Sequence, residues 1–208
     1  MKKLTFLLFA ATMLSFTACN EDREPIETMY SGFMTGYTDT QGYLYSLKDD
    51  FGRKFKVISG DEGKHKPDTL YRLVTSLAVD ENDNAKLLQA VHAISYIAPL
   101  DSSVEDSLKV RDPMLLNTYY IGGGYLNLTL GVKVQAEGTK HDLRYTYSDQ
   151  AGKPLFHLYH NAYGDGQVYT KNAFVSIPLS TYGLEKNDTV LISYMSDDQD
   201  CLIKVIYK

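Results

Sequence analysis

The stretch Tyr119–Val134, YYIGGGYLNLTLGVKV, constrains this chain more than any other. From Leu126 onward, Leu126, Leu128, Leu130, Val132 and Val134 alternate with Asn127, Thr129, Gly131 and Lys133. An unbroken period of two describes a β-strand with one buried and one wetter face, because successive side chains leave a strand on opposite sides. Three glycines, Gly122–Gly124, stand immediately before it. A phosphate-binding loop would have to open a helix whose free N–H groups face the anion. Here a strand follows, so the glycines read as a bend or bulge where two backbones approach closely.

Downstream the same rhythm repeats. Leu143, Tyr145 and Tyr147 alternate before a turn at Asp149–Pro154, and LFHLYHNAY runs into the tight GDGQ of Gly164–Gln167. Phe174–Leu179, Thr189–Met195 and Leu202–Tyr207 follow, each bounded by turn residues. Short strands punctuated roughly every ten residues predict an antiparallel β-sandwich over residues 119–208. Pro178 cannot donate to a ladder, which places its strand at an edge or a bulge.

Upstream the strands are shorter and more aromatic. Tyr43, Tyr45 and Leu47 alternate, Asp49–Gly52 has the composition of a hairpin turn, and Phe55 and Val57 alternate again. Gly60–Thr69 is a charged loop. Thr69–Val79 is a long strand with Tyr71, Leu73, Thr75, Leu77 and Val79 on one face. The turn Asp80–Asn84 leads into a segment that suits a hairpin partner, although Leu87, Val91 and Ile94 also fit a helix. Together residues 30–100 read as a small barrel. Residues 101–118, charged and bearing Pro113, read as a linker with a short helix near Val104–Val110. The fold class expected is therefore all-β, a small OB-like barrel followed by a sandwich.

The N-terminus is an address. Lys2 and Lys3 precede the apolar run Leu4–Phe16, too short to span a bilayer, as in a secretory signal peptide. Phe16-Thr17-Ala18-Cys19 resembles a bacterial lipobox. That resemblance implies loss of residues 1–18, acylation of Cys19 and a membrane partner held through lipid, with residues 19–29 as a tether. Asn20 in place of aspartate favours the outer membrane, and Glu21, Asp22 and Glu24 resemble the export signals of surface lipoproteins. Cys201 is then left without an intramolecular partner, which excludes a disulfide framework. Loss of Lys2 and Lys3 leaves 19 basic against 26 acidic residues, taking the net charge from −5 to −7. Such a balance disfavours nucleic-acid binding, which needs phosphate neutralisation.

The layout as a whole, carried by Tyr120-Ile121-Gly122-Gly123-Gly124-Tyr125-Leu126-Asn127-Leu128 and more loosely by Phe174–Leu179, resembles the NigD-like lipoproteins. The resemblance implies an oligonucleotide/oligosaccharide-binding-type barrel followed by a β-sandwich. The family takes its name from a bacteriocin-associated operon, which suggests roles in immunity or secretion, and it brings no assigned chemistry.

No catalytic residue stands out: G-x-S-x-G, H-E-x-x-H and a cysteine with a neighbouring base are all missing from the sequence. His157 and His160 are three apart and would point to opposite faces of a strand, so they do not form a metal pair. Asp197, Asp198 and Asp200 lack the glycine and distal glutamate of a calcium loop, and Gly164-Asp165-Gly166 reads as a turn. No metal or cofactor is expected. A noncatalytic envelope lipoprotein that binds a protein or small ligand is the favoured function. The alternative is a glycan- or peptide-binding module using Tyr37, Tyr43 and Tyr45 on the barrel or Tyr159, Tyr163 and Tyr169 on the sandwich, although their alternation is what buried, core-packing faces show. A hydrolase would need a deep pocket holding paired carboxylates or a Ser–His pair.

Overall fold

The computed structural model describes residues 27–197 and 199–207. The leader, Cys19 and residues 20–26 of the tether lie outside them. The strands in chain order are β1 (Thr28–Thr38), β2 (Leu44–Asp49), β3 (Lys54–Ser59), β4 (Leu70–Val79), β5 (Asn84–His92), β6 (Leu115–Gly122), β7 (Tyr125–Val134), β8 (Asp142–Asp149), β9 (Pro154–Asn161), β10 (Tyr169–Pro178), β11 (Thr189–Ser196) and β12 (Gln199–Ile206).

The first five strands close into a barrel in the order β1-β2-β3-β5-β4. Its pairings are antiparallel except the short parallel closure of β3 on β5. Leu44, Leu47, Phe55, Leu73, Leu77, Val79 and Ala85 fill the interior. The expected alternation of Tyr43, Tyr45 and Leu47 is broken. Leu44 and Leu47 point inward, three residues apart, because the β1–β2 register slips between Tyr37 and Thr38. The bulge turns Tyr43 and Tyr45 outward.

The other strands form two layers, β10-β7-β6 and β12-β11-β9-β8, the second with β9 and β11 parallel. Leu126, Leu128, Leu130, Val132 and Val134 of β7 face Tyr145, Phe156, Leu158 and Ile192 across the core. Tyr119–Val134 is thus a hairpin rather than one strand. Gly122 pairs with Tyr125, and Gly123 and Gly124 turn the chain with φ of 61° and 87°. Positive φ at both central residues is the signature of a type I′ turn, which matches strand twist and which glycine adopts without strain. Pro178 ends β10, an edge strand.

Residues 93–114 are woven into the sandwich. The Ile94 N–H donates to Phe174 O at 2.8 Å, and its carbonyl accepts from Ser176 N at 2.9 Å, which covers the edge of β10. Pro99 O accepts from Tyr147 N at 2.8 Å and covers β8. Val110–Met114 then fills the space beyond the β9–β11 pairing: His160 N donates to Val110 O at 3.0 Å and Met114 N to Met195 O at 2.9 Å. Tyr96 and Tyr145 clamp the crossing. Their rings stack at 4.2 Å, and each hydroxyl accepts from the other's backbone N–H and donates to the other's carbonyl. The helix expected near Val104–Val110 is instead two 3₁₀ turns, Asp101–Ser103 and Asp106–Leu108, with no buried residue to support a longer helix.

Candidate functional site

Strand alternation that fills two cores also turns polar residues outward on two facing surfaces. In β4, Leu73, Thr75 and Leu77 point inward, so Arg72 points out. In β7 and β10 the residues out of phase with the core are Asn127 and Ser176. Those outer faces meet where the barrel docks on the sandwich. Arg72 Nε donates to Ser176 Oγ at 2.9 Å, and Nη2 to Asn127 Oδ1 at 3.0 Å and to Asp50 Oδ1. Asp50 Oδ2 accepts from the Tyr120 hydroxyl and from Asn127 Nδ2, each at 2.8 Å. The Arg72 and Asp50 side chains are each 2% exposed, and Asn127 and Ser176 are fully buried. A buried ion pair is tolerated when every partner is satisfied, as here. Burial, reinforced by the bond to Asp50, raises the Tyr120 phenol well above its ordinary pKa and keeps it a donor.

Aromatic rings seal the network. The guanidinium lies 4.4 Å from the centroid of Tyr125 and 5.7 Å from that of Phe33, and Phe33 packs edge-on against Tyr120 and Phe174. The glycine hairpin owes its composition to the same place. A Cβ on Gly123 would lie 2.5 Å from Asp50 Oδ1, and one on Gly122 would lie 2.9 Å from Asp50 Cβ. The bend therefore seats the Asp50 turn against the sandwich.

Beside this sealed floor the two halves diverge into an open cleft of about 420 Å³, lined among others by Tyr37, Lys48, Phe51, Leu70, Gly123 and Tyr125. Phe51 is 91% exposed at the tip of the β2–β3 turn. Asp49 fixes that turn by accepting the N–H groups of Phe51 at 2.9 Å and Arg53 at 2.8 Å. Phe51 is thus an apolar side chain held out to solvent on a hydrogen-bonded turn beside the cleft.

Of the named tyrosines, Tyr159 and Tyr163 line one hollow of about 260 Å³ beside His160, and the others lie apart from it. Tyr37 lines the cleft, whereas Tyr43 and Tyr45 are exposed on the barrel outside its lining. Tyr163 and Tyr169 are exposed on the sandwich. Tyr159 differs from the rest: it is buried and donates to Asp101 Oδ1 at 2.7 Å. Its phenol is pushed up to about 12 by burial and that bond. No one site gathers all six.

Two histidine arrangements were hidden in the sequence. His157 Nε2 and Ser148 Oγ lie 2.8 Å apart on neighbouring strands, but neither lines the cleft or the hollows beside His160 and along β5. The nearby Asp101 carboxylate is taken by Thr146 and Tyr159 hydroxyls rather than by the imidazole. A relay of the serine-hydrolase kind is therefore not assembled. The second is a chain. His160 Nδ1 faces Pro113 O at 3.2 Å, His160 Nε2 faces His141 Nδ1 at 2.8 Å, and His141 Nε2 faces Asp165 Oδ2 at 3.1 Å. A carbonyl and a carboxylate only accept, so Pro113 O calls for an N–H on His160 Nδ1 and Asp165 for one on His141 Nε2, and the contact between the two rings needs one further proton. Burial, then the neighbouring His141, lowers the His160 pKa below its ordinary value. The N–H of Gln135, then His141, holds Asp165 below the usual carboxylate range. Among the described residues no three His, Cys, Asp or Glu side chains converge on a metal position.

Sequence reasoning missed Asp50, Arg72, Asn127 and Ser176 as a unit. An arginine in the middle of the apolar run LYRLVTSLAV was the available signal.

A closed five-stranded barrel sealed onto a two-layer sandwich defines a class of tandem all-β proteins. Residues 96–201, about half of the chain, match the family model described as the NigD-like C-terminal beta sandwich domain. The chain belongs to the NigD-like family. It is similar in fold to a NigD-like immunity protein from Bacteroides caccae, with a TM-score of 0.71 and 22% identity over 89% of this chain and 99% of that one. A protein of unknown function from Bacteroides vulgatus gives 0.65 and 16% over 87% of this chain and 92% of that one. A protein described as a candidate lipoprotein from Bacteroides fragilis gives 0.59 and 15% over 87% and 99%. At these identities the likeness is one of fold. No curated protein matches the chain.

Proposed function

We propose that the chain is a noncatalytic lipoprotein of the cell envelope, anchored through an acylated Cys19, that offers the cleft at the barrel–sandwich junction to a protein or small ligand. The outer membrane, with the body facing outward, is the placement its acidic tether favours, and bacteriocin immunity or envelope upkeep is its setting. The lipobox-like Phe16–Cys19 and the kinship with an immunity protein and a candidate lipoprotein support this reading. The observation that carries it is Phe51, almost wholly exposed on a braced turn beside a cleft whose floor is locked by Arg72 and Asp50. An exposed apolar anchor on a preorganised frame loses little entropy on binding.

A photoreactive phenylalanine analogue placed at position 51 of the full chain, in intact cells, tests the binding site. A discrete adduct at 51, absent with the analogue at the exposed position Glu137, is expected. Equal labelling at both positions, or none, would sink the cleft assignment. Cys19→Ala should abolish metabolic lipid labelling, and persistent labelling would refute the anchor. The glycan reading has one specific support, Tyr37 in the same cleft, and a sugar-sensitive adduct at position 51 would favour it.

A further inference from the structure

The sandwich treats its sheet edges unequally. Residues 93–114 cover β10 at Ile94, cover β8 at Pro99 and fill the gap beyond β9 with Val110–Met114. The outer edges of β6 and β12 pair with no strand among the described residues. Bare edges are templates for another strand, and proteins ordinarily blunt them.

Hydrogen-bond phase shows which groups β12 leaves free. Tyr207 N donates to Asp188 O at 2.8 Å, so the amides in phase with it, those of Cys201, Ile203 and Val205, face β11. The N–H and C=O groups of Asp200, Leu202, Lys204 and Ile206 face outward. Their side chains also lie on the solvent face, with Leu202 53% and Ile206 47% exposed, whereas Val205 turns into the core.

We infer that β12 pairs antiparallel with β12 of a second copy, about a two-fold axis through Leu202. In that register Asp200 of each copy faces Lys204 of the other, and Leu202 faces Leu202. Each of these three pairs can exchange two backbone hydrogen bonds, since all the residues concerned aim their amides outward. Asp200 already meets Arg111 through Oδ1, which leaves Oδ2 for the second copy's Lys204. A slip of one residue puts the inward-facing amides at the seam. A slip of two one way sets Asp200 against Ile206 and Lys204 against Leu202, and the other way it sets Asp200 against Leu202; either loses both Asp200–Lys204 pairs. The register that pairs Asp200 with Lys204 is thus self-complementary, which argues for a copy of itself rather than for an arbitrary strand. The product is a continuous eight-stranded sheet made from two four-stranded ones. Anchorage of both copies in one membrane would raise their effective concentration.

Disulfide trapping of the full chain in its own cells tests this. Leu202→Cys in a Cys201→Ser background should give an oxidised homodimer at least tenfold above the Cys201→Ser chain, which retains only Cys19 and sets the background. Adding Lys204→Asp puts carboxylates face to face and should cut the adduct at least threefold, normalised to chain abundance. Co-expression of that chain with one carrying Leu202→Cys and Asp200→Lys should restore it as a mixed pair. No adduct above background, an adduct indifferent to Lys204→Asp, or an adduct with a different chain would each overturn the proposal.

Discussion

Two buried polar clusters in this molecule are built from opposite materials. The Arg72 cluster joins the barrel to the sandwich with a guanidinium, a carboxylate, an amide and two hydroxyls. The His141–His160–Asp165 chain lies within the sandwich and uses imidazoles, whose nitrogens change between donor and acceptor with each proton. An arginine side chain keeps its charge and its fork of donors at any pH at which proteins stay folded. The first cluster is therefore a lock, and the second is a lock that acid can loosen. Tyr125, which lines the cleft, packs on the first through the Arg72 guanidinium, and Phe51 follows Asp50 in the chain.

The largest effect that could break this contrast is at Asp50. Asp50→Ala leaves the Arg72 charge buried and unpaired, a loss of about 3–5 kcal/mol. Chemical denaturation should show it, and a loss below about 1 kcal/mol would mean that water or rearrangement relieves the arginine. Next come the hairpin glycines. Non-glycine residues at positive φ cost about 1–3 kcal/mol. Gly123→Ala should fall near the upper end because its Cβ also strikes Asp50, and Gly124→Ala near the lower end because its Cβ meets open space. Equal costs would remove the Asp50 contact from the explanation.

The histidine chain gives a smaller, pH-dependent effect. His160 resists protonation when folded, whereas an unfolded histidine takes up a proton as pH falls through about 6.5. The unfolded state then binds more protons, so stability present above about pH 6.5 should drain away as pH falls toward the lowered folded value. The slope is at most about 1.4 kcal/mol per pH unit for this one proton. His92 and His157, also lowered by burial, add in the same direction. His160→Gln should flatten the acid limb in denaturation curves at stepped pH without abolishing it, and an unchanged limb would contradict the assignment. Smallest is Phe51→Ala, expected to change stability by less than about 0.5 kcal/mol while removing the contact at the mouth of the cleft. A binding loss matched by a stability loss would make Phe51 structural.

What was legible in the sequence, and what was not, follows from how far apart the interacting residues lie. The aliphatic face of β7, the β2–β3 and β4–β5 turns and Pro178 at an edge all depend on near neighbours, and the pattern carries them. Alternation reports that a face is polar, not that it is wet. Asn127 sits on the wetter half of its strand, yet it is fully buried because Arg72 and Asp50 reach it from the barrel. Arg72 and Ser176 are 104 positions apart, beyond the reach of any local rule. His141 was passed over for a similar reason, since the strand geometry that separates His157 from His160 says nothing of a ring arriving from the loop before β8. The glycines were read as a close approach, and the structure supplies what they approach. Tyr43 and Tyr45 misled because a one-residue bulge inverts which face an alternating run presents.

Calorimetry of residues 20–208, the chain without its leader and without Cys19, bears most directly on the idea that the junction makes barrel and sandwich one binding body. The unaltered chain should unfold in a single transition with equal calorimetric and van't Hoff enthalpies, and Asp50→Ala should split or broaden it. Two independent transitions in the unaltered chain, or an Asp50→Ala profile superimposable on it, would contradict that coupling.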